Sequence, residues 1–97
     1  MKLRFSPQAT RDLVEIADHI RAENPHAAER VRAAILDSLQ LLSSFPHLGR
    51  RQSVEGVRKL VTRRYGYLAY YLVDEAASEI VLLSIQHPAR ARPAKDG

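Results

Sequence analysis

The 97-residue sequence contains no cysteine, only four glycines and no long apolar run, and each absence narrows the range of possible functions. Without cysteine, the chain can form neither a disulfide nor a thiolate metal site. With so few glycines, it has no glycine-rich loop of the kind that binds phosphates. No apolar run approaches the roughly 18 residues of a membrane span, and the N-terminus, MKLRFSPQAT, lacks the apolar region of a secretion signal. We therefore expect a soluble, cytoplasmic protein.

What the chain does contain is ordinary for one small globular domain, with 45% apolar and 27% charged residues. The basic residues, however, are unevenly distributed. Residues 1–49 carry six basic and six acidic side chains, whereas residues 50–97 carry nine basic and five acidic ones. The whole net charge of +4 therefore lies in the second half. A basic surface of this kind attracts nucleic acid or an acidic protein segment.

Two pairs, Ser6-Pro7 and Asn24-Pro25, predict the starts of two helices. Serine and asparagine are favourable helix caps, and proline fits the first helical position. Apolar residues then recur at helical spacing between residues 9 and 20 and between residues 28 and 42. Charged side chains such as Asp12 are expected on the outer face. Because the connection between the helices is so short, they should pack as an antiparallel hairpin.

The segment from Ser43 to Glu55 has no periodicity and is predicted to be a loop. In it, Phe45 and Leu48 are expected to pack beneath the second helix. Arg50 and Arg51 follow Gly49 and are expected on an exposed part of this loop. Loops that cross to a sheet commonly carry contact residues, so both arginines are candidate target-binding residues.

Four strands are predicted from alternating or continuous apolar runs. One lies at the N-terminus, and three follow the loop with only short turns between them, which indicates an antiparallel meander. The later three are predicted at Val57–Arg63, Tyr67–Val73 and Glu79–His87. The order β-α-α-β-β-β indicates an α+β domain in which the helical hairpin packs on one face of a four-stranded sheet. We assign residues 1–90 to this single domain and residues 91–97 to a polar C-terminal tail.

Three candidate functional residues lie on or beyond the predicted strands. Arg58 lies on the first strand of the meander, and His87 and Arg90 lie at or after the end of the last strand, so the three could converge at one end of the sheet. Metal-independent RNA cleavage needs a base, an acid and cations around the phosphate, which these residues could supply. They also suit binding, without catalysis, to phosphates or to an acidic protein surface. The histidines are dispersed and no carboxylate adjoins His87, so we expect no metal and no cofactor.

Six segments in order resemble a known pattern: FSPQATRDLVEIADHI, ENPHAAERV, LLSSFPHLGR, GVRKL, YGYLAYYLV and IVLLSIQHPAR. Together they span roughly residues 3–90 and look like a ParE-type toxin of the RelE/ParE superfamily. These proteins belong to bacterial type II toxin–antitoxin systems and are also called plasmid-stabilisation proteins. The resemblance implies a β-α-α-β-β-β fold, in agreement with the order above. It also implies a hetero-oligomer with a cognate antitoxin.

The superfamily contains two mechanisms, and the residues favour one of them. RelE-like members cleave mRNA in the ribosome, with basic residues on the meander strands and a C-terminal tyrosine. Here Leu68 stands where those nucleases carry arginine, and the tail ARPAKDG has no tyrosine. ParE-like members are described as inhibitors that trap DNA gyrase without a catalytic site of their own, and the motifs fit that branch better.

We therefore predict a growth-inhibiting toxin that binds DNA gyrase and is neutralised by a cognate antitoxin. Direct binding to nucleic acid is compatible with this prediction but is not required by it. The alternative is a ribosome-dependent mRNA endonuclease of the RelE type, which would use His87, Arg58 and Arg90. The predicted target-binding residues are Arg50, Arg51, Arg58, Lys59, His87 and Arg90.

Overall fold

Both helices begin at the capping residues that the sequence predicts. In the computed structural model, which describes residues 1–90, the Ser6 Oγ accepts a hydrogen bond from the Ala9 N–H at 3.1 Å. The Asn24 Oδ1 accepts one from the Ala27 N–H at the same distance. The helices are α1 (Pro7–Arg21) and α2 (Pro25–Ser44). They pack against each other as the predicted hairpin, and no helix within residues 1–90 is long and apolar enough to cross a membrane.

The sheet contains five strands in the order β1-β5-β4-β3-β2. The strands are β1 (Lys2–Phe5), β2 (Arg50–Arg51), β3 (Val57–Val61), β4 (Leu68–Asp74) and β5 (Glu79–Gln86), and a 3-10 turn follows at Pro88–Arg90. Strands β3, β4 and β5 form the predicted antiparallel meander. Strand β1 pairs with β5 in parallel, so the sheet is mixed. The α+β class and the order of elements are confirmed.

Strand β2 corrects the prediction of a loop at Arg50 and Arg51. The two arginines pair antiparallel with β3, Arg50 opposite Lys59 and Arg51 opposite Arg58. They add a fifth strand at the edge of the sheet. Two adjacent arginines have no apolar alternation, so hydrophobic periodicity could not reveal this strand.

The core lies between the helical hairpin and one face of the sheet. Helix α2 contributes Ile35, Leu39 and Leu42, which are completely buried, and the sheet contributes Tyr71 and Leu82 opposite them. Full burial of each aliphatic side chain stabilises the fold by about 1.5–3 kcal/mol. These contacts fix the orientation of the sheet and leave its other face away from the helices.

Two predictions about side-chain burial are wrong. Phe45 and Leu48 do not pack beneath α2 but are 59% and 50% exposed, because the Tyr71 side chain reaches under this loop instead. Asp12 does not simply face outward: its Oδ2 accepts a hydrogen bond from the Ile85 N–H at 2.9 Å. This bond joins α1 to β5 and satisfies a backbone group that would otherwise lack a partner.

Candidate functional site

A row of polar side chains crosses the sheet on the face opposite the helices, which we call the open face. Ala69 and Tyr71 are buried against the helices, so Tyr70 between them points to the open face. Tyr70 pairs with Lys59 on one side and with Ser84 on the other, and Arg50 is opposite Lys59. Arg50, Lys59, Tyr70 and Ser84 therefore lie in one row across four strands.

Apolar side chains flank this row on the open face. Val57 and Leu72 form the neighbouring cross-strand pair on one side, and Val61 and Leu68 form the pair on the other. Val61 is 56% exposed, and the other three are half-buried. Leu68 also pairs with Gln86 on β5, so a leucine and an amide side chain lie opposite each other at this end of the sheet. The open face thus combines a central polar row, positively charged at the β2–β3 edge, with apolar side chains on both sides of it.

Four cations meet at that edge, in two cross-strand pairs of like charge. Arg50 lies opposite Lys59 and Arg51 opposite Arg58, and we call these four residues the basic edge. Like charges directly opposite each other in a sheet are destabilising. None of the ion pairs formed within residues 1–90 includes a member of the basic edge. Arg50 and Lys59 lie on the open face with Tyr70, whereas Arg51 and Arg58 lie on the opposite face with Tyr71.

The Arg58 side chain also has a structural role. Its Nη1 donates hydrogen bonds to the carbonyl oxygens of Gly49 at 2.8 Å and of His47 at 3.3 Å. The Tyr71 hydroxyl donates to the Pro46 carbonyl and accepts from the Gly49 N–H, both at 2.8 Å. The two side chains thereby hold the segment 46–49, which delivers the chain into β2. Arg58 positions the other arginines of the basic edge.

Burial raises the pKa of the Tyr71 hydroxyl above its ordinary value of 10.0. The hydrogen bond from the Gly49 N–H and the charge of Arg58 oppose this effect but are smaller. Tyr71 is therefore neutral at physiological pH, and its hydroxyl donates a hydrogen bond to the Pro46 carbonyl.

A cavity of about 470 Å³ lies beside the basic edge. Its lining includes two arginines, Arg51 and Arg58, and two glutamates, Glu55 and Glu75.

His87 lies at a different place, just beyond β5. Its ring meets the Tyr67 ring edge to face, with centroids 5.3 Å apart, and its Nδ1 accepts a hydrogen bond from the Ala89 N–H at 3.0 Å. It lines a cavity of about 410 Å³ together with Glu15 and His19 of α1. Arg90 ends the 3-10 turn that follows. The predicted tail, residues 91–97, lies outside the described residues.

The prediction that Arg58 and His87 converge at one end of the sheet is wrong. Arg58 is opposite Tyr71, which is opposite Leu82, and His87 follows Leu82 by five residues. The two are thus about 16 Å apart along the strands and about 10 Å apart across them. The antiparallel register carries the end of β5 towards the end of β3 and away from Arg58, near its start. The predicted residues form two separate regions, and the described chain does not assemble the nuclease set at one phosphate.

Arg63 and Arg64 were not among the predicted site residues, yet they lie in the β3–β4 turn at the end of the sheet where His87 lies. The sequence predicts Arg63 as the last residue of a strand, whereas β3 ends at Val61 and Arg63 lies in the turn. Within residues 1–90, no group of three or more histidine and carboxylate side chains could hold a metal ion.

Comparison with known proteins identifies this class of molecule. Residues 3–92 match the family described as "ParE toxin of type II toxin-antitoxin system, parDE". The chain is 28% identical over 92 residues to a Sinorhizobium fredii protein named "Putative toxin Y4kP", covering 95% of this chain and 93% of that protein. The fold and the sequence thus define a type II toxin of the RelE/ParE superfamily. The chain belongs to the ParE toxin family.

Solved structures of toxin–antitoxin systems have the same fold. The chromosomal ParDE system from P. aeruginosa gives a TM-score of 0.78 at 29% identity, covering 90% of this chain and 95% of that one. The RelBE2 toxin–antitoxin complex from Mycobacterium tuberculosis gives 0.66 at 27% identity, covering 89% and 95%. The intact E. coli RelBE complex gives 0.62 at 16% identity, covering 92% and 98%, which supports the fold alone.

Proposed function

We propose that this ParE-family toxin inhibits growth by binding DNA gyrase, with the basic edge as its principal contact. The observation that carries the proposal is the pair of like-charge cross-strand contacts, Arg50 with Lys59 and Arg51 with Arg58. Arg50 and Lys59 share the open face with Tyr70, so an acidic surface on the target that covers this face would neutralise that pair and remove its repulsion. The apolar pairs of Val57 with Leu72 and of Val61 with Leu68 lie on either side of the polar row and supply area that can be buried.

A large protein target also accounts for the two separate regions of predicted contact residues. His87 and Arg90 lie far from the basic edge, and no small ligand could touch both regions. A protein–protein interface of standard size buries about 800 Å² on each partner. Such an interface can extend from the basic edge across the open face to the end of β5.

Binding without cleavage is favoured by the positions of the residues that a nuclease would use. The Arg58 guanidinium donates to two loop carbonyls, and His87 lies well away from it. Leu68 occupies the part of the open face between Val61 and Gln86. These placements favour a toxin that acts by occupying its target.

RelE-type mRNA cleavage is the second candidate. The similarity to the RelBE2 complex, at 27% identity and a TM-score of 0.66, is the observation in its favour. A cleavage site of this kind would have to be built from Lys59, His87 and Arg90, with ribosomal components completing it.

We further propose that a cognate antitoxin neutralises the toxin in a hetero-oligomeric complex, since the similar RelBE2 structure from Mycobacterium tuberculosis is a toxin–antitoxin complex. The excess of positive charge in the second half of the chain suits an acidic antitoxin segment. Such a segment, disordered when free, would lose conformational entropy on binding but could cover a large surface.

Induction of the toxin in cells that lack the antitoxin distinguishes the two candidate functions. The proposal predicts growth arrest with a DNA-damage response and intact transcripts. Cleavage of mRNA on translating ribosomes, without DNA damage, would contradict the proposal and support the RelE-type alternative. In that case His87→Ala should abolish the cleavage, because His87 would supply the acid or the base.

A further inference from the structure

The cavity beside His87 lies between α1 and the end of β5, and we call it the α1–β5 pocket. Its volume of about 410 Å³ is in the range of sites that hold small molecules. Two carboxylates and two histidines form its ionisable lining, and they belong to Asp12, Glu15, His19 and His87. No lysine or arginine among the described side chains lines it, whereas arginines line the cavity beside the basic edge. With its histidines neutral, the pocket is a negatively charged cavity in a protein of net charge +4.

The floor of the pocket is apolar and is part of the packed interior. Ile85 and Tyr67 are only 3% and 5% exposed. Ile16 and Ile20 of α1 pack against the same core and complete the floor. The contact between the Tyr67 and His87 rings adds an aromatic wall on the side of β5. The pocket can therefore cover the apolar or aromatic body of a small ligand.

Of the two carboxylates, Glu15 is the one available to a ligand. Both carboxylate oxygens of Asp12 are engaged, because Oδ2 accepts from the Ile85 N–H at 2.9 Å and Oδ1 accepts from the Gln8 Nε2 at 2.7 Å. Glu15 is exposed, and no ion pair among the described side chains includes it. A charged group paired with Glu15 would thus lie at the mouth of the pocket, while the rest of the ligand reaches the buried floor.

We propose that the α1–β5 pocket binds a small organic cation with an apolar body. Glu15 accepts hydrogen bonds from the charged group of this ligand, and such charge-assisted bonds are the strong ones. The body packs on Ile16, Ile20 and Ile85, and the nearby Tyr67 ring attracts a cation further. A ligand in this position lies beside His87, one of the predicted target-binding residues. The site does not depend on gyrase being the target.

Two other classes of ligand fit the pocket less well. A phosphate or another anion would be repelled by both carboxylates and would find no described lysine or arginine in the lining. A metal ion lacks a suitable set of donors, since within the described residues no group of three or more histidine and carboxylate side chains could hold one. The apolar floor would also be left uncovered by either ion.

A matched series of benzene derivatives tests this assignment on the full-length protein. Binding is followed by NMR chemical-shift changes of backbone amides and of the His19 and His87 rings. Benzamidine, the cation, should bind with a dissociation constant of about 1 mM or below and should shift the signals of residues that line the pocket. Benzamide, its neutral analogue, should bind about tenfold more weakly, and the anion benzoate should not bind.

Two charge-neutralising variants locate the contact. Glu15→Gln keeps the shape of the side chain and should weaken benzamidine binding by about fivefold or more without changing the affinity for benzamide. Glu29→Gln is the matched control, because it makes the same change at an exposed position on α2 outside the pocket. It should change the affinity by less than about twofold. Both substitutions are at exposed positions, so the melting temperatures should stay close to that of the unmodified protein.

Four results would overturn the proposal. Equal affinities for benzamidine and benzamide would show an apolar cavity without a preference for charge. Equal losses for Glu15→Gln and Glu29→Gln would show an effect of net charge alone. Unshifted pocket signals at about twenty times the expected dissociation constant would exclude the site. Binding that requires removal of residues 91–97 would assign the pocket to the chain's own basic tail instead of a free ligand.

Discussion

The Tyr71 side chain shows how much of this structure depends on single residues. Its ring is part of the core, and its hydroxyl holds both the Pro46 carbonyl and the Gly49 N–H of the segment that leads into β2. Gly49 is close enough to be held in this way only because it has no side chain. Core packing and the position of the basic edge are therefore decided by the same pair of residues.

Removing the Tyr71 hydroxyl tests whether its hydrogen bonds to the segment before β2 stabilise the fold. We expect Tyr71→Phe to lower the free energy of unfolding by about 1–3 kcal/mol at neutral pH, because two buried backbone groups lose their partner. The variant should also change the response to alkali. The pKa of Tyr71 is raised in the folded state, so its contribution to stability is complete below pH 10.0 and is lost as pH rises through the folded-state pKa.

Urea denaturation between pH 7 and 11 measures both effects. The unmodified protein should lose stability more steeply above pH 10 than Tyr71→Phe does. Tyr65→Phe, at an exposed position, is the control. Identical curves for the unmodified protein and Tyr71→Phe would contradict the role given to the hydroxyl.

The space around Gly49 gives a second prediction at this scale. A Cβ at this position would lie 2.8 Å from the Lys59 carbonyl oxygen and equally close to the Tyr71 ring and hydroxyl. We expect Gly49→Ala to destabilise the fold by about 1–3 kcal/mol through overpacking. At Gly66 a Cβ meets open space, and only the positive φ of +70° opposes substitution, so Gly66→Ala should cost about 1 kcal/mol. Equal costs for the two variants in chemical denaturation would argue against the packing explanation.

At the scale of elements, the β2–β3 pairing is the feature that joins fold to function. β2 contains only two residues, and both of its partners on β3 carry the same sign of charge. The strand is held by backbone hydrogen bonds and by the clamped segment before it, while its side chains repel their neighbours. Strand β2 therefore presents positive charge to a partner, and the same charge lowers the stability of its pairing with β3.

Charge reversal on β3 should therefore have opposite effects on stability and toxicity. Lys59→Glu places a carboxylate opposite Arg50, so we expect the free energy of unfolding to rise by about 0.5 kcal/mol. The same change should weaken growth inhibition after induction, because it removes a target contact. Arg32→Glu on α2 should leave toxicity unchanged. A Lys59→Glu variant that is more stable and fully toxic would exclude Lys59 from the target surface.

The elements that could be predicted from the sequence are those with strong local signals. Ser6-Pro7 and Asn24-Pro25 gave the helix starts, and the continuous apolar runs gave β4 and β5. Strand β2 had no such signal, because it depends on a tyrosine more than 20 residues later to place it. The exposure of Phe45 and the hydrogen bond from Ile85 to Asp12 likewise depend on tertiary contacts that no local pattern contains.

The candidate site was predictable in its residue types but not in its arrangement. The concentration of positive charge after residue 49 is visible in the sequence, but the pairing of Arg50 with Lys59 is not. The separation of Arg58 from His87 follows from the strand register, which the sequence does not specify. The position of Arg63 and Arg64 beside α2 was not predicted, because it depends on the hydrogen bond from the Arg63 N–H to Ser38, which no local pattern contains.

At the scale of the whole molecule, positive charge is placed on two sides of one small domain. The basic edge lies on β2 and β3, and Arg30, Arg63 and Arg64 line a groove between α2 and the β3–β4 turn. We propose that the basic edge contacts the target.

The most direct test of the central claim is a supercoiling assay with purified gyrase and purified toxin. We expect the toxin to block supercoiling, added antitoxin to restore it, and the double variant Arg50→Glu/Lys59→Glu to have lost most of the inhibition. A parallel reaction with mRNA on translating ribosomes should leave the transcript intact. Full gyrase activity at a large molar excess of folded toxin would contradict the account.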